Sequence, residues 1–123
     1  MKFCDLSNKV IGAAIEVHKL LGPGLLESTY HQCLCHELKL NNIRFKSEYP
    51  MPVTYKGVNL DCGYRIDLLI EDKIIVELKS VEKLVPIHEA QIMSYMKLAN
   101  INKGFLINFN VELLKNGLKS FIF

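Results

Sequence analysis

Residues 64–80 constrain the fold most, because they hold two short apolar runs around a charged trio. The runs at 66–70 and 74–78 consist mostly of Ile, Leu and Val, which favour β-strands. The trio Glu71-Asp72-Lys73 is short enough to be a turn. The pattern therefore predicts a β-hairpin with a three-residue loop.

Three charged residues, Asp67, Glu77 and Lys79, interrupt the apolar runs. Side chains alternate between the faces of a strand, so a three-residue loop makes Asp67 and Glu77 cross-strand neighbours. A two-residue loop would instead bury one carboxylate in the core, at a high cost. The predicted apolar face holds Ile66, Leu68, Ile70, Ile74, Val76 and Leu78, and the mixed face holds Arg65, Asp67, Leu69, Ile75, Glu77 and Lys79.

The two carboxylates on this mixed face repel each other at a Cβ separation of ~5 Å. Lys79 offsets part of the repulsion, and a divalent cation with oxygen ligands at ~2.0–2.6 Å would offset more. The same three residues also fit a plain cross-strand ion-pair cluster. The charge pattern alone leaves both interpretations open.

Length and composition favour a single globular domain over residues 1–123. The chain is 50% hydrophobic and 23% charged, which excludes an intrinsically disordered protein. A formal charge of +2 is too small to indicate a nucleic-acid partner by itself. No apolar run approaches the ~18 residues of a membrane span, and residues 1–5 lack the pattern of a signal peptide. We therefore expect a cytoplasmic protein with no membrane partner.

Other residues that could carry chemistry are expected to be structural. Buried free thiols are expected at Cys4, Cys33, Cys35 and Cys62, which form no Cys-x-x-Cys pair. Positions at the surface or at helix caps are expected for His18, His31 and His88. A solvated surface, with some contacts to phosphates, is expected for Lys73, Lys83, Lys97 and Lys103.

The spacing of apolar residues along the whole chain predicts three helices, at 5–21, 25–40 and, after Pro86, 87–99. Strands are predicted at 43–49, 58–62, 66–70, 74–78 and 103–109. Residues 51–55 fit an edge or irregular strand, and residues 119–123 could form a last strand. Residues 81–85 fit a connector that could hold a turn of helix. The expected order is α-α-β-β-β-β-α-β. The helix between strands 74–78 and 103–109 would make these two parallel. This order predicts an α/β (α+β) fold with a mixed sheet flanked by helices.

Two motifs resemble known families. Residues 24–30, Gly-Leu-Leu-Glu-Ser-Thr-Tyr, match the Gly-x-x-Glu-x-x-Tyr signature of the GxxExxY protein family. Asp67 with Glu77-Leu78-Lys79 resembles the Asp…(Asp/Glu)-x-Lys core of the PD-(D/E)XK nuclease superfamily, to which that family looks related. Gln91 and Tyr95 also resemble the Gln-x-x-x-Tyr helix of helicase-associated exonucleases in the superfamily.

The resemblance implies a restriction-endonuclease-like fold and Mg²⁺- or Mn²⁺-dependent hydrolysis of nucleic-acid phosphodiesters, with DNA ahead of RNA. The implied metal ligands are Asp67, Glu77 and the backbone carbonyl of Leu78. The implied catalytic residues are Lys79, Glu27 and Gln91, and the implied substrate-binding or supporting residues are Tyr30, Tyr95, Arg65 and His88. From position alone, Glu27 equally fits a favourable charge at a helix start, and Gln91 with Tyr95 equally fits a tie between helix and sheet.

Three functions are compatible with these features. The first is a metal-dependent nuclease. The second is a catalytically silent module that binds nucleic acid or a protein partner, and the third is a metal-dependent hydrolase of another phosphoester. A chain of 123 residues leaves little room for a DNA-reading domain, so sequence specificity would need a homodimer or a protein partner.

Overall fold

The computed structural model describes the backbone of residues 3–123 and the side chains from Asp5 onward. The elements are α1 (Phe3–Leu21), α2 (Glu27–Leu40), β1 (Phe45–Pro50), β2 (Val53–Tyr55), β3 (Val58–Leu60), β4 (Arg65–Ile70), β5 (Ile74–Lys79), α3 (Pro86–Ala99), β6 (Lys103–Asn108), a 3-10 turn (Leu114–Gly117) and β7 (Leu118–Ile122). All three predicted helices are confirmed, although α2 begins two residues later than expected. The predicted turn of helix at 81–85 is wrong, since residues 81–83 form bends and residues 84–85 are irregular.

The main sheet has five strands in the order β1-β4-β5-β6-β7. Its pairs are antiparallel except β5 and β6, which run parallel because α3 crosses between them. The predicted mixed sheet flanked by helices is thus confirmed. The observed order has two strands beyond the expected one, namely β2 before α3 and β7 at the end of the chain. Strands β2 and β3 pair with each other in a separate two-stranded ribbon outside the main sheet.

The register of the central hairpin is the predicted one. β4 and β5 pair Leu68 with Val76 and Ile70 with Ile74, so that residues 71–73 form the three-residue loop. Glu71 and Asp72 adopt φ angles of 52° and 56°, in the left-handed region that tight turns use. The position of the loop brings Asp67 and Glu77 to the far end of the hairpin.

The core lies on both faces of the sheet. On one face α1 and α2 cover a cluster that includes Leu68, Ile70, Ile74, Val76, Leu78 and Phe105. On the other face α3 covers Met51, Ile66, Leu69, Ile75 and Leu106 with Ile92, Tyr95 and Met96. Strand β6 is buried over its whole length, as predicted for a strand covered on both faces.

One predicted hairpin face is wrong at Ile66, which packs with Met51, Leu69 and Ile75 instead of with Leu68. β1 pairs with β4 in a single register along its whole length, but the pair of Glu48 with Asp67 is missing. Glu48 has a φ of 53°, far from the extended range of a strand. The side-chain alternation of β4 therefore breaks at Asp67, and Ile66 turns to the α3 face.

Two polar side chains expected at the surface are buried. His18 is 7% exposed, and its Nε2 lies 2.6 Å from the carbonyl oxygen of Val111, because the segment after β6 covers the end of α1. Lys103 is 8% exposed, since its stem lies on a strand covered on both faces, and its Nζ donates to Ser120 Oγ at 2.5 Å.

The cysteines in the described part of the chain are free, as predicted, but they are less buried than expected. Cys33 and Cys35 are half-buried and Cys62 is exposed. The side chain of Cys4 lies outside the described residues. Among the helices described, none has both the length and the apolar character needed to cross a bilayer.

Candidate functional site

The β4–β5 hairpin opens at the end where its charged residues lie. Backbone pairing between the two strands stops at Leu68 and Val76. Beyond that point, the Asp67 N–H donates to Glu77 Oε1 at 3.1 Å, and the Leu78 N–H donates to Asp67 Oδ2 at 2.8 Å. Each carboxylate thus replaces a backbone acceptor and occupies the gap between the strands.

The backbone carbonyl of Leu78 faces the same gap. The N–H and C=O of one strand residue point to the same side, and the Leu78 N–H points at Asp67. The next carbonyl, that of Lys79, points the other way and accepts the N–H of Phe109 at 2.9 Å. The Asp67 and Glu77 carboxylates lie at the open end of the hairpin, and strand geometry directs the Leu78 carbonyl to the same end.

Glu77 is the most deeply buried carboxylate of the site, with 3% of its surface exposed. Burial, together with repulsion from the Asp67 carboxylate, raises the pKa of Glu77 to about 9, although Lys79 opposes the shift. In the metal-free protein, both effects favour the protonated form of this carboxyl group.

Lys79 is connected to α3 through a short chain of hydrogen bonds. Its Nζ donates to Gln91 Oε1 at 3.3 Å, and Gln91 Nε2 donates to the Tyr95 hydroxyl at 3.4 Å. Burial, followed by the nearby Glu77 carboxylate, raises the pKa of Tyr95 and keeps its hydroxyl protonated. These contacts tie the helix to the sheet and also hold the ammonium group close to the carboxylates.

Glu27 reaches the site from the first turn of α2. Burial and the Asp67 carboxylate raise the pKa of Glu27, whereas Lys79 and His31 lower it. Glu27 and Asp67 line the same cavity, of about 290 Å³, together with Ser28, His31, Gln32, Ser47 and Glu48.

Tyr30 fixes the start of α2 from inside the core. Its hydroxyl donates to the Gly22 carbonyl at 2.6 Å and accepts the Leu25 N–H at 3.1 Å. The ring stacks on Phe109 at a centroid distance of 4.6 Å. The signature tyrosine is thus part of the support beneath Glu27, and it does not line the cavity.

A second cavity, of about 500 Å³, lies on the α3 side of the sheet. It is lined by Tyr64, Lys79, Ile87, His88, Gln91, Ser94, Tyr95 and Leu98. His88 caps the start of α3, as its Nδ1 accepts the Val85 N–H at 3.1 Å. Arg65 is exposed, lines neither cavity and donates from its guanidinium to the Tyr64 carbonyl at 2.9 Å.

Two side chains at the site were not predicted from the sequence, namely Glu48 and the half-buried His31. Each of them, like Asp67, offers one potential ligand atom, and these three atoms lie within 4.8 Å of one another. The signal for His31 was its position four residues after Glu27, which places both on one side of a helix. Glu48 could not be found in this way, because its neighbours depend on how β1 pairs with β4.

The donors at the open end of the hairpin fit a divalent cation such as Mg²⁺ or Mn²⁺. They are two carboxylates and a carbonyl, the hard oxygen ligands that these ions prefer. The raised pKa of Glu77 reflects the burial of this residue and the neighbouring Asp67 carboxylate, which Lys79 only partly offsets. A dication would neutralise the pair and displace the proton, as expected when metal binding is linked to deprotonation of a ligand.

Comparison with known proteins assigns the family. A family model of the PD-(D/E)XK nuclease superfamily matches residues 4–121, a range that includes Glu27, the hairpin and α3. No curated protein and no solved structure gives a significant match. The chain therefore belongs to the PD-(D/E)XK nuclease superfamily.

Proposed function

We propose that this protein is a metal-dependent nuclease that hydrolyses phosphodiester bonds of nucleic acid, with DNA ahead of RNA as its substrate. Within its superfamily, the Gly24–Tyr30 segment supports placement in the GxxExxY family. The observation that carries the proposal is the pair of the half-buried Asp67 and the buried Glu77, with Lys79 held beside it by Gln91.

In this proposal Asp67, Glu77 and the Leu78 carbonyl hold one Mg²⁺ or Mn²⁺. The cation, when bound, polarises a phosphate oxygen and lowers the pKa of a water molecule. The hairpin contributes rigidity, because each carboxylate is fixed by a backbone N–H of the opposite strand. A site built in this way loses little entropy when a substrate phosphate arrives.

Lys79 and Glu27 have complementary roles on either side of the carboxylates. Lys79 is a compact cation that stabilises negative charge on the phosphate, and Gln91 directs its ammonium group. Glu27, whose pKa is raised, can accept and hold a proton from a water molecule in the 290 Å³ cavity. Tyr30 supports Glu27 through the loop before α2.

The larger cavity fits the nucleic-acid chain next to the scissile phosphate. Tyr95 and His88 line this cavity beside Lys79, and Arg65 lies exposed at the start of β4. We assign these three residues to contacts with the sugar–phosphate backbone, which carry no sequence information. Sequence specificity would then require a homodimer or a protein partner, and the free thiols favour a reducing compartment such as the cytoplasm.

The test is a cleavage assay of the purified full chain on single-stranded, duplex and branched DNA and RNA with Mg²⁺ or Mn²⁺. We expect cleavage that EDTA abolishes and that Glu77→Gln and Lys79→Ala reduce to background. Lys83→Ala is the matched control, because Lys83 is exposed four residues after Lys79. Cleavage that persists in both site variants would contradict the proposal.

Binding measurements and a small phosphoester substrate, added to this assay, distinguish the other two functions considered from the sequence. Nucleic-acid binding that survives EDTA, without cleavage, would identify a catalytically silent module. Hydrolysis of a small phosphoester in place of nucleic acid, lost in Glu77→Gln, would identify a different metal-dependent hydrolase. Either result would replace the nuclease assignment.

A further inference from the structure

We propose that His31, Glu48 and Asp67 form a second divalent-cation site, selective for a transition-metal ion, beside the Asp67–Glu77 pair. The proposal deepens the proposed nuclease function, since Asp67 belongs to both sites. It concerns cation binding by the free protein, which can be measured without any nucleic acid.

The three residues come from three different elements, α2, β1 and β4. One ligand atom from each lies within 4.8 Å of the other two, and His31 Nδ1 lies 3.8 Å from Glu48 Oε1. They line the 290 Å³ cavity, which has room for waters to complete the coordination of an ion. Glu27 lines the same cavity and adds a further carboxylate close by.

The orientation of the His31 ring points to a ligand. Its Nε2 lies 2.7 Å from Ser47 Oγ, while Nδ1 lies 3.8 Å from Glu48 Oε1. Metal-binding histidines almost always donate from their second ring nitrogen to a neighbouring acceptor, which fixes the ring and its tautomer. Ser47 is such an acceptor. An Nε2–H to Ser47 leaves the lone pair of Nδ1 free for an ion between Glu48 and Asp67.

The position of Glu48 follows from the irregularity in β1. At this residue the backbone has a φ of 53°, and its pairing with Asp67 is missing from the ladder. Ser47, the preceding residue, contacts His31, so consecutive residues of β1 supply the ring's hydrogen-bond partner and a carboxylate. A regular strand would direct adjacent side chains to opposite faces.

The two sites differ in the ions that they favour. The open end of the hairpin offers only oxygen donors, which suit Mg²⁺. The proposed second site combines one imidazole nitrogen with two carboxylates, and imidazole favours transition metals over Mg²⁺. Mg²⁺ should therefore compete well at the first site and poorly at the second.

A protonated His31 that pairs with Glu48 and Asp67 is the competing explanation of the same geometry. An imidazolium has no lone pair for a metal, so this explanation predicts no cation at the second site. It also predicts that His31→Ala leaves the number of bound ions unchanged. The two explanations therefore differ in ion stoichiometry and in nitrogen coordination.

The experiment titrates the metal-free full chain with Mn²⁺, using calorimetry for stoichiometry and pulsed electron paramagnetic resonance for nitrogen coupling. We expect two ions per chain, of which one couples to a single imidazole nitrogen. Excess Mg²⁺ should displace the uncoupled ion and leave the coupled one. One bound ion with no nitrogen coupling would overturn the proposal.

Variants assign the signal to these residues. His31→Ala should remove the nitrogen coupling and one of the two ions, whereas His36→Ala, an exposed histidine on the same helix, should keep both. Ser47→Ala should weaken binding at this site by about 10–100-fold, the usual effect of losing a residue that orients a ligand. Nitrogen coupling that persists in His31→Ala would overturn the proposal.

Two further variants distinguish the absence of the second site from a folding defect and from a failure of the nuclease proposal. The side chain of Glu48 is 63% exposed, so Glu48→Gln should fold even if His31→Ala does not, and should weaken the nitrogen-coupled site at least tenfold. An unchanged affinity in Glu48→Gln would overturn the second site. Glu77→Gln should remove only the uncoupled ion, so a chain that fails to cleave nucleic acid could still confirm the second site.

Discussion

The backbone N–H of Asp67 donates a 3.1 Å hydrogen bond to the side chain of Glu77 on the neighbouring strand. The relationship is reciprocal, since Asp67 Oδ2 accepts the N–H of Leu78, the residue next to Glu77. Two groups that repel as charges are thus held together by the backbone of the opposite strand. Burial of Glu77, followed by this repulsion, raises the pKa of its carboxyl group.

The first prediction concerns the pH dependence of stability without metal. The pKa of Glu77 rises from 4.5 in a model peptide to about 9 in the folded protein, so the unfolded chain releases the proton first. The stabilisation from this proton is complete below pH 4.5 and is lost as the pH rises towards 9. In EDTA, the free energy of unfolding of the wild type should fall relative to Glu77→Gln, by at most about 1.4 kcal/mol per pH unit.

Urea denaturation of both proteins between pH 5 and pH 8 measures this difference. Mg²⁺ should reduce the slope in the wild type, because the ion binds the deprotonated carboxylate, and should have little effect on Glu77→Gln. A difference between the two proteins that does not vary with pH would contradict the prediction.

The second prediction concerns Lys79. In the proposed nuclease, Lys79→Ala should lower the cleavage rate by about 10²–10³-fold, the usual effect of removing one group that stabilises the transition state. Because Lys79 also lowers the pKa of Glu77, the variant should require a higher pH to bind Mn²⁺. Calorimetry across a pH series would detect that shift, and an unchanged pH profile would argue against the electrostatic effect of Lys79 on Glu77.

The local part of the site could be predicted from the sequence, because alternation along a hairpin determines which residues face each other. The three-residue loop, the proximity of Asp67 to Glu77 and the parallel pairing of β5 with β6 all follow from short-range rules. The face of Ile66 could not be predicted, since it depends on an irregularity in the distant strand β1.

The contribution of His31 and Glu48 depends on tertiary structure. Their meeting with Asp67 requires the packing of α2 on the sheet and the pairing of β1 with β4, neither of which short-range patterns specify. The burial of His18 and Lys103 has the same origin, because segments distant in sequence cover them. Residue types that are usually exposed become buried only when such a cover exists.

The third prediction tests the support beneath Glu27. Tyr30→Phe removes the hydroxyl that bonds Gly22 and Leu25, and should lower the free energy of unfolding by about 1–3 kcal/mol for two hydrogen bonds. Cleavage should also fall, because the start of α2 is less well fixed. Tyr55→Phe, at a 60% exposed tyrosine, is the control and should change neither quantity.

The fourth prediction concerns the contact of α3 with β6. A Cβ at Gly104 would lie 2.7 Å from Met96 Sδ and 3.1 Å from Ile92 Cδ1, both on α3. Gly104→Ala should therefore push α3 outward and lower the free energy of unfolding by about 1–3 kcal/mol, as overpacking does. Since α3 also carries Gln91, which holds Lys79, cleavage should fall as well.

Gly12 is the matched control for Gly104, because a Cβ there meets nothing within 4 Å and the residue lies inside α1. Gly12→Ala should raise the free energy of unfolding by about 0.5–1 kcal/mol, since alanine loses less conformational entropy in a helix. Urea denaturation and the cleavage assay, run on both variants, test the argument. If Gly104→Ala were as stable and active as Gly12→Ala, close packing of α3 on β6 would not be what positions Lys79.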